Sequence, residues 1–421
     1  MRFIHAADIH LDSPLKGLEK YEGAPVEEIR TATRRALENL AELAINEEVD
    51  FLIIAGDVYD GDWKDHNTGL FFVAQMNRLR EADIPVVIIS GNHDAANKMT
   101  RSLRLPDNVE LLSHTRPATA KSARLAELGV AIHGRSFAKQ AELENLVLDY
   151  PQKSTGLFNI GLLHTSLEGA EGHEPYAPCS VDHLKQKGYD YWALGHVHTR
   201  RVVIEDPPVV FPGNIQGRNI RETGEKGCYL VTADDQGVCD LQFLSLDVFR
   251  WEMLLIDATD FQHPHELIRH IGGELEKLGE QNDGLALAVR VEVTGATVIN
   301  DALRAEVRRW TNELRATGIS VSSSRIWVEK VKWKTTSPLQ ERDESHYSGP
   351  IEMLHDYFAE LRQDESQLSE LARQLDEFQR KMPDEIRQGE TGLHIEDPEQ
   401  IREWLNEIEP MLMKKLGRGG K

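Results

Sequence analysis

Short apolar runs that stop at a small residue followed by a carboxylate, amide or imidazole recur along this chain. Phe51-Leu52-Ile53-Ile54-Ala55 ends in Gly56-Asp57, and Phe3-Ile4-His5-Ala6-Ala7 ends in Asp8-Ile9-His10. Pro85-Val86-Val87-Ile88-Ile89-Ser90 ends in Gly91-Asn92-His93-Asp94, and Asp190-Tyr191-Trp192-Ala193-Leu194 ends in Gly195-His196-Val197-His198. Unbroken runs of this length read as parallel strands buried on both faces, and a glycine at the end marks a tight turn. In open α/β sheets, chemistry sits at the carboxyl ends of the strands. Between the strands, residues 25–47 carry Ile29, Ala36, Leu37, Leu40 and Ala44 at helical spacing, and 65–82 carry Phe72, Met76 and Leu79. Alternating strands and helices imply parallel pairing with helices on the faces.

From about 109 to 245 the pattern turns strand-rich: 109–112, 130–132, 159–164, 191–196, 202–204, 209–211, 228–232 and 241–246. Two sheets packed face to face accommodate it. Residues 166–180, rich in Gly, Pro, Glu and Ser, read as a surface loop. Residues 249–334 repeat a smaller β-α-β-α-β order, with Leu267, Ile268, Ile271, Leu275 and Leu278 on one helix and Leu303, Val307, Trp310 and Leu314 on another.

Beyond about 336 the chain becomes helical and acidic, with 20 acidic and 11 basic side chains over 341–421. Ile351, Leu354, Phe358 and Leu361 form one stripe, Leu368, Leu371, Leu375 and Phe378 a second, and Ile401, Leu405, Ile408 and Leu412 a third. Asp397-Pro398-Glu399-Gln400 has the form of a helix start. Such helices are too few to bury themselves well and are expected to pack on the body or on a partner. The expected organisation is a catalytic domain over 1–247, a small α/β cap over 248–335 and a helical segment over 336–421.

Composition narrows the class. A chain of 421 residues exceeds one ordinary core, and 40% hydrophobic with 28% charged residues fits a soluble globular protein. No apolar run approaches a membrane span, and the N-terminus does not read as a signal peptide. Cys179, Cys228 and Cys239 form no CxxC pair, which points to a reducing, cytoplasmic setting. The net charge of −22 argues against broad attraction to nucleic acid, though not against a local basic groove.

The strand ends change the picture. Divalent transition metals accept imidazole and carboxylate ligands together. Asp8 with His10, Asp57, Asn92, His164 after a further apolar strand, and His196 with His198 are enough for two ions. Two such ions about 3.5–4 Å apart can hold a bridging hydroxide and clamp a phosphoryl group for in-line attack. His93 follows Asn92 directly and reads as the general acid, with Asp94 beside it expected to orient the imidazole and raise its pKa. A single strand-end histidine is ordinarily structural, and His5, His66, His114, His133, His173 and His183 keep that reading. The joint order D-x-H, G-D, G-N-H-D, strand-H, G-H-x-H is what carries the site.

Those five blocks resemble the calcineurin-like metallophosphoesterase superfamily. Purple acid phosphatases carry Tyr three residues after the second-block Asp, and protein Ser/Thr phosphatases read G-D-x-x-D-R-G. Here that position is Asp60, followed by Gly61, and the third block ends in Asp94. The opening Ile4-His5-Ala6-Ala7-Asp8-Ile9-His10-Leu11-Asp12 is similar to SbcD-type DNA nuclease subunits, and its Asp12 places it nearer the YhaO branch of DNA repair exonucleases. The resemblance covers residues 1–215 strongly. It implies a two-sheet metallophosphoesterase sandwich. One metal would sit at Asp8, His10, Asp57 and His198 and the other at Asp57, Asn92, His164 and His196, with Mn(II) as the preferred ion; the residues alone do not divide them. It further implies DNA as substrate, a DNA-facing cap, an SMC-like ATPase partner of the SbcC/YhaN type, and a homodimer.

Arg101, Arg104, Arg200, Arg201, Arg218, Arg221 and Lys226 lie just past site blocks, where basic side chains can hold phosphates flanking a scissile bond. The first functional expectation is a metal-dependent DNA exo- or endonuclease. The second is a phosphatase or phosphodiesterase on nucleotides or other small phosphoesters, which the acidic charge favours. A non-catalytic scaffold fits poorly with a complete ligand set.

Overall fold

Alternate residues of the parallel strands face alternate layers. Phe3, Phe51, Ile53 and Val87 point into the space between two sheets, while Ile4, Leu52, Ile54 and Val86 point outward under helices. Both sets are fully buried, which is why these strands read as unbroken apolar runs.

The structure, a computed structural model, describes residues 1–13, 26–60, 66–96, 104–169, 176–321, 325–338 and 350–375, and residues 401, 402, 404, 405, 408, 409 and 412. They fall into two compact units, Met1–Ser337 and Pro338–Lys421. The first opens with β1 (Arg2–Ala6), α1 (Val26–Asn46), β2 (Phe51–Ile54), α2 (His66–Glu81), β3 (Val86–Ile88) and α3 (Asn92–Ala96). It continues with β4 (Val109–Leu111), β5 (Ala118–Thr119), α4 (Ala123–Glu127), β6 (Val130–Gly134), β7 (Phe158–His164), α5 (Val181–Lys187) and β8 (Tyr191–Gly195). β9 (Arg201–Glu205), β10 (Pro208–Phe211), β11 (Gly227–Asp234) and β12 (Gly237–Ser245) complete the sandwich. β13 (Phe249–Asp257), α6 (Pro264–Gln281), β14 (Ala286–Thr294), α7 (Asn300–Ala305), α8 (Val307–Val321) and β15 (Ile326–Trp333) follow. In the second unit lie α9 (Pro350–Gln363) and α10 (Glu365–Gln374).

The fold is a mixed α/β sandwich of two six-stranded sheets, ordered β12-β11-β1-β2-β3-β4 and β5-β6-β7-β8-β10-β9. Strands β1 to β4 pair in parallel, as do β6, β7, β8 and β10, and the remaining strands pair antiparallel at the margins. Phe3 stacks on Phe51 at 4.8 Å and meets the edge of Tyr191 in the facing sheet at 5.4 Å. Helices α1 and α2 cover the outer face of the first sheet through Leu37, Leu40, Phe72 and Met76.

Outside the second sheet, Trp192, Leu194 and Phe211 pack with Tyr150, Ala177, Cys179 and Leu184. This corrects the reading of 166–180 as a surface loop. Thr165 donates its hydroxyl to Ala177 O (2.8 Å), and both Ala177 and Cys179 are buried. Polar composition did not reveal that the segment supplies part of an outer core; residues 170–175 of it lie outside the described residues.

The third sheet, β13-β14-β15, is wholly parallel, and its core lies under α6 and α8. Trp251, Ala288 and Trp327 on its other face pack with Phe249 and with Ile29 and Ala32 of α1. The C-terminal helices form a small core of their own from Phe358, Leu361, Leu368, Ile401 and Leu405. They therefore bury themselves better than their stripes suggested, although Met353, Tyr357 and Ile408 stay exposed. Phe378 and the helix start at Asp397 lie outside the described residues. Among the described residues no helix is long and apolar enough to cross a membrane.

His5 shows what the sandwich does to a structural histidine. Its Nδ1 faces Tyr191 OH at 2.9 Å and its Nε2 faces Leu194 O at 3.2 Å, so a neutral ring satisfies both as one acceptor and one donor. Burial pushes its pKa down to about 3, the Leu194 carbonyl offsetting this only in part. An unfolded histidine titrates near 6.5, so the unfolded chain binds this proton first as pH falls. The neutral ring's contribution is complete above that value and is lost between it and about 3, at about 1.4 kcal/mol per pH unit. A His5→Gln variant should show a shallower fall of urea midpoint with pH across that range. Parallel slopes would remove His5 from the acid response.

Candidate metal centre

The carboxyl ends of β1, β2, β3, β7 and β8 meet at one edge of the sandwich. There the chain turns sharply through residues in the left-handed region: Asp8 (φ 50°), His10 (φ 45°), Asp57 (φ 50°) and His196 (φ 98°). Non-glycine residues seldom adopt such angles, and their clustering at one site marks backbone held by its surroundings. Glycines let the turns approach. A Cβ on Gly195 would lie 2.0 Å from Ala55 O, and one on Gly91 would lie 2.3 Å from Asp57 Oδ1.

The side chains converge. Asp57 Oδ2 lies 3.4 Å from His164 Nε2 and 3.9 Å from His10 Nε2, so Asp57 faces both halves of the cluster. His10 Nε2 lies 3.1 Å from His198 Nε2, which is 3.9 Å from Asp8 Oδ1. Asp8 accepts from the backbone N–H of His196 at 3.0 Å. On the other side, His164 Nε2 lies 3.0 Å from Asn92 Oδ1, and the His196 ring packs 5.2 Å from the His164 ring. Asp8, His10 and His198 form one group with ligand atoms within 4.8 Å of one another, and Asp8, Asp57 and His164 form another.

His164 provides the test of whether a cation fits. Its Nδ1 lies 2.9 Å from Ala55 O and must donate to it, which leaves the Nε2 lone pair aimed at Asn92 Oδ1 and an Asp57 oxygen. Three acceptors facing one point require positive charge there. Burial opposes a proton on His164, yet the charges of Asp57 and Asp8 push its pKa up to about 9. A divalent cation supplies the same charge, and mixed carboxylate, imidazole and amide donors suit a first-row metal.

His93 is half-buried beside this cluster, and its partner differs from expectation. Asp94 does not face it: that carboxylate accepts from the backbone N–H groups of Val58 (3.2 Å), Tyr59 (3.0 Å) and Gly91 (3.2 Å). Burial, then the charge of Asp57, pushes the Asp94 pKa up to about 7. Asp94 clamps the second and third blocks together, because adjacent residues at the start of a helix point in different directions. The partner is Asp60, whose Oδ1 lies 2.8 Å from His93 Nδ1. Burial works against a charged His93, but the hydrogen bond to Asp60 and the charges of Asp57 and Asp60 outweigh it and the pKa rises. The same interactions, with His10, hold the Asp60 carboxyl well below its usual range against the effect of burial.

Sequence reasoning noticed Asp60 only as a position where phosphatase branches differ. It missed Glu222, which sits 2.8 Å from His198 Nδ1. The only available signal was its place four residues from Arg218. Of the proposed phosphate contacts, Arg101 lies outside the described residues. Arg200 lies 3.8 Å over the ring of Phe243 and 3.7 Å from Glu225. Arg218 is mostly buried between Glu222 (2.9 Å) and Asp60 (3.6 Å), so it serves the site's own carboxylates.

Residues 1–200 match the calcineurin-like phosphoesterase family, and residues 251–336 match the middle domain of metallophosphoesterase YhaO. An uncharacterized metallophosphoesterase YhaO of Bacillus subtilis is 31% identical over 365 residues, 86% of this chain and 86% of the relative. The chain belongs to the calcineurin-like metallophosphoesterases. A DNA double-strand break repair protein Mre11 of Methanopyrus kandleri is 25% identical over 68% of this chain and 65% of its own length. The Mre11 of Sulfurisphaera tokodaii is 26% identical over 67% and 70%. Metallophosphoesterases hydrolyse phosphoesters at a dinuclear metal centre, and the strand-end cluster holds the candidate ligands for one.

Proposed function

We propose that this metallophosphoesterase is a DNA nuclease of the repair type that cleaves phosphodiester bonds with two divalent ions, Mn(II) being the ion that the family resemblance points to. The observation that carries the reading is Asp57, whose Oδ2 faces both His10 and His164. The first ion would be held by Asp8, His10, Asp57 and His198, and the second by Asp57, Asn92, His164 and His196. Bound there, the pair supplies the nucleophile and neutralises charge on the phosphate. His93 holds a proton toward the open side of the site, with Nδ1 fixed by Asp60, and delivers it to the leaving oxygen. The similarity to Mre11 proteins supports DNA as substrate.

The parallel sheet of β13 to β15 would act as a DNA-facing cap. The exposed Met353, Tyr357 and Ile408 would offer docking points for an SMC-like ATPase. A homodimer and a cytoplasmic setting belong to the same reading. The net charge of −22 favours the alternative, a phosphodiesterase on nucleotides or other small phosphoesters.

Linear DNA and a small aryl phosphodiester, each incubated with the chain and Mn(II), separate the two. Degradation of DNA with defined polarity, stopped by a chelator, is the expected result. Turnover of the small ester with DNA left intact, also in the presence of an SMC-like ATPase, would select the alternative.

A further inference from the structure

Behind the metal-facing atoms lies a second row of charged groups. His198 presents Nε2 to the cluster and turns Nδ1 to Glu222 Oε1 at 2.8 Å. Glu222 is buried, and every one of its partners is a donor. Its Oε2 accepts from Asn214 Nδ2 (2.8 Å) and from the backbone N–H of Arg218 (2.8 Å), and its Oε1 accepts from Arg218 Nη2 (2.9 Å). Arg218 Nη1 then reaches Asp60 Oδ2 at 3.6 Å, and Asp60 Oδ1 lies 3.6 Å from His10 Nδ1. One guanidinium therefore joins two carboxylates, each facing the rear nitrogen of a histidine. The front nitrogens of those two histidines are 3.1 Å apart. Behind His164 the rear partner is instead the backbone carbonyl of Ala55.

We propose that Glu222, held by Arg218, is the positioning residue for His198, so that the Asp60–Arg218–Glu222 frame sets the affinity of one metal position and leaves the other to the backbone. The inference rests on the dinuclear reading above. A carboxylate only accepts, so Glu222 places the ring proton on Nδ1 and leaves the Nε2 lone pair forward. Arg218 Nη2 is also 3.2 Å from that Nδ1, but a guanidinium only donates and cannot bond an N–H. Its part is to fix Glu222, which it does from four residues earlier in the chain, with its backbone N–H on Oε2 and its guanidinium on Oε1. A glutamine at 222 keeps the shape but can offer its amide N–H to Nδ1, which would turn the ring proton toward the metal.

The test is a Mn(II) titration followed by the spectroscopic signal of the free ion, with unfolding temperature measured alongside. Wild type should bind two ions per chain. Glu222→Gln should weaken one of them about 10–100-fold and leave the other unchanged. Arg218→Lys keeps the charge but loses the fork, and should weaken the same position by less; it decides the matter if Glu222→Gln does not fold. A role in stability alone would lower the unfolding temperature with both affinities intact, and that result overturns the proposal, as does equal weakening of both positions. Wild type that binds no Mn(II) removes the dinuclear reading, and this inference with it.

Discussion

On the dinuclear reading, Asp57→Asn should lower metal-dependent phosphoester hydrolysis by ~10³-fold or more in kcat/KM, because neutralising a carboxylate that two ions would share should cost about 4 kcal/mol. Asp57 is fully buried, and its two oxygens have separate tasks. Oδ1 accepts from the backbone N–H of His93 at 2.9 Å and orients the third block. Oδ2 faces His164 and His10. An asparagine that keeps its carbonyl on the His93 N–H must turn its amide nitrogen toward the metals, replacing an anion by two N–H donors. Bound metal, read by elemental analysis, should fall along with activity on a small aryl phosphodiester. Activity within about tenfold of wild type, with two ions retained, would show that Asp57 does not bridge.

His93→Ala should behave differently. General acid catalysis contributes roughly 10²–10⁴-fold, and the need for it depends on the leaving group. On DNA, whose leaving alkoxide is strongly basic, the full loss is expected. On an aryl ester, whose leaving phenolate departs without a proton, most of the activity should survive. Metal content should stay at the wild-type level, since His93 Nδ1 is committed to Asp60 and the ring stands at the half-buried side of the site. Asp60→Asn should lose about tenfold on DNA with less selectivity for the leaving group, because Asp60 faces His10 as well as His93 and its loss should also weaken metal binding. Equal losses on both substrates would mean that His93 binds the phosphate instead of protonating the leaving oxygen.

The elements that build this molecule were legible because the two periods are distinct and the strands are buried on both faces. Phe51 to Ile54 could be nothing but a central strand, and Leu37, Leu40 and Ala44 could only be the inner face of a helix. The strand-end residues of the candidate site were legible for a related reason. Parallel strands deliver their ends to one edge of a sheet, so Asp8, Asp57, Asn92, His164, His196 and His198 were placed near one another by topology alone. The inward course of 176–180 was not legible, because small residues such as Ala177 and Cys179 give no periodic signal and were buried by what lay across from them.

What the sequence by itself determined was therefore the set of groups that converge at the strand ends. What only the tertiary structure decided was which groups stand behind them. Asp94 is adjacent to His93 in the chain, yet the start of α3 turns it onto the amides of Val58, Tyr59 and Gly91. Asp60 comes from another turn and takes its place. Glu222 and Arg218, on a loop with no strand pattern, reach His198 only because β11 returns antiparallel beside β1 and carries the preceding loop back to the site. Front-row residues follow strand ends, which local pattern reveals. A hydrogen-bond partner in the second row is fixed by distances of about 3 Å between segments far apart in the chain, and no local pattern encodes those.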